Sequence, residues 1–209
     1  MKRTLAAILA SSALLSSCEP GAWEEGQTYG RWHLLYDGYG EVTGTDDEVL
    51  MYPRSATSPD QTHASLVITE EQVEDDVDFE VTVHTEAHMR EGEPNPWEVG
   101  WVLWNYHFDT SFYALVLKPN GWELSKQDPA YPGNQRFLAS GTTPTYPIGA
   151  DYRVRVTQVD NTITVSADGV ELTTFTDKES PYIGGAIGLY NEDALVRFSD
   201  LLIHDTPTS

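Results

Sequence analysis

Short runs of residues that alternate between apolar and polar, each closed by turn formers, follow one another along most of this chain. In Phe79 to Thr85, Phe79, Val81 and Val83 fall on one side and Glu80, Thr82 and His84 on the other. A period of two is that of a strand with one buried face, whereas a helix buries every third or fourth residue. The same pattern runs through Tyr152–Val159, turns at Asp160-Asn161, continues in Thr162–Ala167, turns at Asp168-Gly169 and resumes in Val170–Phe175. Asn and Asp followed by Gly accept the positive φ that tight hairpins need. Arg31–Tyr36, Val49–Tyr52, Ala64–Ile68, Arg136–Ala139, Gly184–Asn191 and Ala194–Ile203 add further short strands, and no stretch holds a helical period. The pattern predicts an all-β chain, folded as an antiparallel two-sheet β-sandwich.

The stretch from Pro94 to Lys126 departs from the rest in its aromatic content. Four of the chain's six tryptophans, Trp97, Trp101, Trp104 and Trp122, lie here, with Tyr106, Phe108, Phe112 and Tyr113 between them. A strand from Trp97, a turn at His107–Ser111, a second strand to Lys118, a Lys-Pro-Asn-Gly turn and a strand from Trp122 make a meander. Along the first strand Trp97 and Trp101 share one face and Trp104 and Tyr106 the other, so one set can fill a core while the other faces out. Trp104 and Trp122 flank the polar cluster Asn105, Tyr106, His107 and Asp109, and are expected to be the outward set; Trp97 and Trp101 stay open between core and surface. An aromatic platform beside such groups suits a sugar ring, whose C–H face stacks while its hydroxyls hydrogen-bond. The expected ligand-binding residues are therefore Trp104, Asn105, Tyr106, His107 and Trp122, and the expected partner is a polysaccharide or oligosaccharide.

The N-terminus carries an address. Lys2 and Arg3 precede an apolar run from Leu5 to Leu15 that is too short to span a bilayer and reads as a secretory signal. It ends in Leu15-Ser16-Ser17-Cys18, which resembles a bacterial lipobox; the resemblance implies removal of residues 1–17 and acylation, including palmitate, at Cys18. A membrane-anchored lipoprotein of the bacterial cell envelope is expected, in the outer membrane, the periplasm or at the cell surface, with several acyl chains on one cysteine making the anchorage stable. Residues 18–30 would form a polar tether, residues 31–205 the β-sandwich, and residues 206–209 a tail. Cys18 is the only cysteine, so neither a disulfide nor a cysteine-based metal site is available.

Charge narrows the partners. Without Lys2 and Arg3 the chain has 10 basic and 33 acidic residues, a formal charge of −23. Such a body repels nucleic acid and anionic lipid, both of which require a positive field. The acidic loop from Asp37 to Glu48 contains glycines and carboxylates but lacks the spacing of an EF-hand, and reads first as a solvated loop.

From Tyr152 onward, YRVRVTQVDNTITVSADGVEL followed by GGAIGLYNEDALVRFSDLLI resembles the C-terminal half of concanavalin A-like jelly rolls, including the laminin-G-like and 3-keto-disaccharide-hydrolase-like groups of bacterial surface proteins. In pattern the resemblance covers nearly all of residues 31–204. It implies a structural calcium between an early loop and the closing strand, which by position would use Asp37 and Asp200.

This fold hosts lectins, glycosidases, lyases and spacers, so function has to come from the site. No E-x-D-x-E pair of the laminarinase-like glucanases is present, nor G-x-S-x-G, nor H-E-x-x-H. The remaining catalytic candidates are His107 and Tyr106, as the acid–base pair of a lyase, with Arg90 neutralising a uronate carboxylate. The sequence therefore points to a carbohydrate-binding lipoprotein. A glycan-acting lyase or hydrolase is the first alternative, and an adhesive or structural surface module the second.

Overall fold

The computed structural model describes residues 21–204. Cys18, the signal segment and the expected tail lie outside the described residues. Among the described residues fifteen strands, numbered in chain order, make two antiparallel sheets. The larger sheet runs β1 (Thr28–Tyr29), β2 (Trp32–Tyr36), β5 (Ala64–Thr69), β14 (Ala186–Glu192), β7 (Gly100–Phe108), β8 (Ser111–Lys118), β9 (Gly121–Gln127) and β10 (Gln135–Gly141). The smaller runs β13 (Val170–Thr176), β12 (Thr162–Ala167), β11 (Asp151–Val159), β6 (Val77–His88), β15 (Ala194–Ile203), β4 (Glu48–Tyr52) and β3 (Glu41–Gly44). The β-sandwich expected from the alternation is the fold observed. Among the described residues the only helical piece is a single 3-10 turn, Pro132–Asn134.

The alternating runs place their apolar sets between the sheets. Phe79, Val81 and Val83 of β6, Val154 and Val156 of β11, and Val196 and Phe198 of β15 face Leu34, Val67, Val102, Leu115, Leu124 and Leu189 across the core. Gly100 allows the two layers to approach closely: a Cβ there would stand 2.7 Å from Val83 and Val196 methyls.

Two expectations fail at the N-terminal end. Residues 21–30 are not a free polar tether, because Trp23 is buried, stacks on Tyr29 with ring centroids 4.8 Å apart, and donates its backbone N–H to Val42 at 2.8 Å. The alternation that would have revealed this is too short to register as a strand. Part of the acidic loop is also ordered, since Glu41–Gly44 pairs with Val49–Tyr52 as β3 against β4.

Two buried charges sit inside this apolar frame. The Lys126 ammonium, on the core side of β9, donates to Asp177 Oδ2 at 2.7 Å and to the carbonyls of Glu179 and Ser180 at 2.8 and 2.7 Å. Tyr113 also donates to Asp177 Oδ2, at 2.6 Å. Burial alone would raise the Asp177 pKa, but the bonds from Lys126, Tyr113 and the Glu179 N–H outweigh it and hold the carboxyl below its ordinary value. The pair pins the 177–182 segment to the larger sheet, where Tyr182 in turn donates to the Gln127 carbonyl at 2.8 Å.

Candidate functional site

The outer face of the larger sheet carries a second apolar cluster, separate from the core. Leu66, Leu103, Tyr106, Ala114 and Ala186 are buried there, with Tyr36, Ile68, Trp101, Phe112 and Tyr190 packed on them. Strand register arranges this face in rows. Gly188, Leu103, Ala114 and Ser125 lie side by side on β14, β7, β8 and β9. Three of these four are small, and a Cβ on Gly188 would come within 3.0 Å of Leu103, so this row forms a low floor. Tyr190, Trp101, Val116 and Glu123 make the next row, and Phe112 with Gln127 and Gln135 border the other side. The result is a groove lined by Tyr36, Trp101, Asp109, Phe112, Tyr190 and Glu192, continuing past Trp97, Glu123, Gln135 and Phe137.

The walls are aromatic and the rim is polar. Trp101 meets Tyr190 edge-on at 5.3 Å and is oriented by its indole N–H, which donates to the Trp97 carbonyl at 2.8 Å. Tyr106 stacks on Phe112 at 5.8 Å. Two phenols hold carboxylates: Tyr190 donates to Glu192 at 2.6 Å and Tyr106 to Asp109 at 2.6 Å. Burial raises the pKa of Tyr36, Tyr106 and Tyr190, so all three remain donors across the ordinary pH range. The Tyr36 hydroxyl, which feels both Asp109 and Glu192, takes no hydrogen bond within the described residues. Glu192 is raised as well: desolvation dominates, Asp193 and Glu98 add to it, and the Tyr190 bond and Arg90 oppose it.

The structure redistributes the residues expected from the sequence. Trp104 is fully buried in the core, where its indole donates to Gln158 at 3.0 Å, and Trp122 is also buried on the core side. Neither ring faces a ligand from solvent; the outward tryptophans are Trp101 and Trp97. Asn105 is buried too, donating to Gln158 and to the Tyr182 carbonyl. It sits at φ +49° in a bulge where two residues of β7, Trp104 and Asn105, oppose one of β14, Ile187. That bulge breaks the alternation and turns Tyr106 from the Trp104 side to the groove side. Tyr106 is thus the one member of the expected ligand set on the groove side of the sheet, where it is buried behind Phe112 and Asp109.

The expected catalytic trio does not assemble. His107 is exposed near the end of β7, with its Nε2 3.3 Å from the Ile183 carbonyl oxygen, while the Tyr106 hydroxyl is held on Asp109. Arg90 is a buried structural group whose guanidinium binds Glu98, Asp193 and the carbonyls of Ser58 and Gln61. It has no face left for a uronate carboxylate.

The pair Asp37 and Asp200 does not fit a shared calcium. The Asp200 N–H bonds to the Asp47 carbonyl at one end of β4, while Asp37 precedes Gly38, which lies against Pro53 beyond the other end. Six residues of extended chain separate these ends by roughly 20 Å, against the about 2.5 Å ligand distance calcium requires. Asp37 Oδ1 is already an acceptor for the Tyr39 N–H. Among the described residues no group of three His, Cys, Asp or Glu side chains gathers as a metal site.

No protein-family model matches the chain, and no curated protein matches its sequence. Solved structures match its architecture. Carbohydrate-binding module CBM66 from Bacillus subtilis superposes with a TM-score of 0.64 at 14% identity, over 84% of this chain and 96% of that one. The fold is a jelly roll. The exoplasmic/lumenal domain of VIP36, in a Ca2+-bound form, matches with a TM-score of 0.60 at 13% identity, over 86% of this chain and 85% of that one. The carbohydrate recognition domain of Emp46p, in a metal-free form, matches with a TM-score of 0.58 at 12% identity, over 86% and 90% of the two chains. At these identities the likeness concerns the fold.

The sequence pattern did not single out Tyr36, Tyr190, Glu192 or Gln127. A signal was present in β14, where Ala186, Gly188, Tyr190 and Glu192 share one face and Ile187 and Leu189 the other. Two small residues followed by an aromatic and an acid on an outward face are unusual for a merely solvated surface.

Proposed function

We propose that this protein binds carbohydrate in the groove on the outer face of its larger sheet. The observation that carries the reading is the combination of a floor of Gly188, Ala114 and Ser125, walls of Trp101, Tyr190, Phe112 and Tyr36, and a rim of Gln127, Gln135, Asp109 and Glu192. An apolar depression with a few convergent polar groups is the usual form of a small-molecule site. Sugar rings match it because one face is C–H and the edges are hydroxyls. The jelly-roll neighbours include a carbohydrate-binding module and a carbohydrate recognition domain, which supports the same reading. Acylation at Cys18 would present this groove at the cell envelope. That part of the proposal rests on the sequence alone, and metabolic labelling with a palmitate analogue, lost in Cys18→Ala, is its test.

The groove reading is tested with a panel of immobilised glycans, wild type against Trp101→Ala. Retention by at least one glycan that fails with the variant supports it; no retention anywhere by folded protein overturns it. Calcium enters as a separate arm: if melting temperature rises with calcium over chelator, the ligands are other than the Asp37–Asp200 pair.

A second reading, hydrolysis, has its own observation. Two carboxyl groups, Glu192 and Asp109, line one groove, and burial raises the pKa of the first. A carboxyl group with a raised pKa facing a second carboxyl group is the pairing glycoside hydrolysis requires. Reducing ends released by wild type and not by Glu192→Gln would select this reading over binding alone.

A further inference from the structure

The charge around the groove sets the class of glycan it accepts. Asp109, Glu123 and Glu192 line it, and its lining includes no Lys or Arg. The nearest ammonium on this face, Lys118, is committed to Glu123. Arg136 alternates to the other side of β10, where it is paired with Glu179, and Lys126 is sealed in the core. His33, on β2, is engaged with Thr28 and Glu70.

Beneath the Glu192 end the imbalance continues into the protein. Glu98 and Asp193 are buried with Arg90 as their shared cation, and Glu98 Oε2 is sealed without a hydrogen-bond partner. Three carboxyl groups therefore face one guanidinium, with His63 near Asp193 at 3.9 Å. Glu192 is the member of this group that reaches the groove, and among the described residues its one side-chain donor is the Tyr190 hydroxyl. A carboxylate in partly desolvated surroundings, with an excess of like charge behind it, is stabilised by any cation that binds in front. A uronate or sulfated sugar would instead add a charge of the same sign in a site without a free cation.

We propose that the groove selects glycans bearing free amino groups, such as de-N-acetylated hexosamine chains, by seating an ammonium against Glu192 and Asp109, and that it rejects anionic glycans. The proposal rests on the carbohydrate-binding reading above and narrows it. It also accounts for the pairing of each carboxylate with a phenol: Tyr190 and Tyr106 occupy one oxygen and orient the other, leaving an acceptor for the incoming N–H groups.

The experiment is calorimetric titration of the protein with three tetrasaccharides: glucosamine, N-acetylglucosamine and galacturonate. At low salt the amine oligomer is expected to bind about tenfold or more tightly than the acetylated one, the ratio that one charge-assisted hydrogen bond supplies. The advantage should shrink as salt is raised, and galacturonate should not bind. In Glu192→Gln the ratio of the two affinities should fall towards one. Asp109→Asn, on an exposed turn, provides the same reading should the first variant fold poorly. Equal binding of amine and acetylated oligomers, or tightest binding of galacturonate, overturns the selectivity and leaves the groove reading standing. Absence of binding by any of the three, and by the wider glycan panel, overturns both.

Discussion

Replacing Asp177 by Asn isolates the energetics of the one ammonium buried in the core. In the native protein Lys126 Nζ has three acceptors, and Asp177 is its only carboxylate. Both side chains are essentially inaccessible. Asparagine keeps the shape and one oxygen but removes the countercharge, so the ammonium stays in the core with two carbonyls and a dipole. Breaking one side of a buried pair costs about 3–5 kcal/mol, which for a domain of this size lowers the melting temperature by about 6–20 °C. Because the native Asp177 pKa is depressed, its contribution to stability is fully present above the ordinary carboxylate value of 3.8 and is lost as pH falls through the lower folded value. The gap between wild type and variant should therefore persist at pH 7 and close only below that value. Calorimetric or near-ultraviolet melting between pH 3 and pH 8 measures it. The double variant Lys126→Met/Asp177→Leu, which removes both charges, should recover much of the loss. A loss below about 1 kcal/mol at pH 7, the level of an exposed pair, would refute the claim that this ammonium is dry.

The other predictions concern the groove and the N-terminal packing. Trp101→Ala should weaken glycan binding about 30-fold, the scale of a buried aromatic anchor, whereas Trp104→Phe should lower stability and leave affinity nearly unchanged; isothermal titration and melting together separate the two. Tyr36→Phe removes one unpartnered hydroxyl and should cost affinity by about fivefold with little change in melting temperature. Glu192→Gln should raise the melting temperature at neutral pH, because a carboxyl whose folded pKa is raised destabilises the fold above that pKa; the gain should disappear as pH falls below its ordinary value of 4.5. Trp23→Ala should cost about 3–5 kcal/mol, measured by denaturant unfolding, and a negligible cost would restore residues 21–30 to a tether.

The strands and their turns were legible because alternation and turn chemistry are local. Phe79–Thr85 and the two hairpins after Tyr152 can be read residue by residue. Trp23 and Tyr29 were not legible as part of the domain, since a two-residue strand leaves no period to detect. The candidate groove lies partly on the aromatic meander, but Trp104 and Trp122, expected outward, are buried, and Trp101 lines the groove instead.

That inversion marks the division between sequence and tertiary structure. The sequence by itself determined that the chain is a set of short antiparallel strands, and that Trp101 and Trp104 belong to opposite faces of one of them. It could not say which face is inside, because a strand apolar on both sides satisfies either choice and only the facing sheet breaks the tie. Packing decided it: Val102 and Trp104 meet the core, and Gly100 makes room for Val83 and Val196. The bulge at Asn105 then moved Tyr106 to the opposite side from the one alternation assigns. The convergence of Tyr36, Tyr190 and Glu192 with Trp101 likewise exists only in the assembled sheet, since hydrogen-bonded register between strands far apart in sequence sets those neighbours.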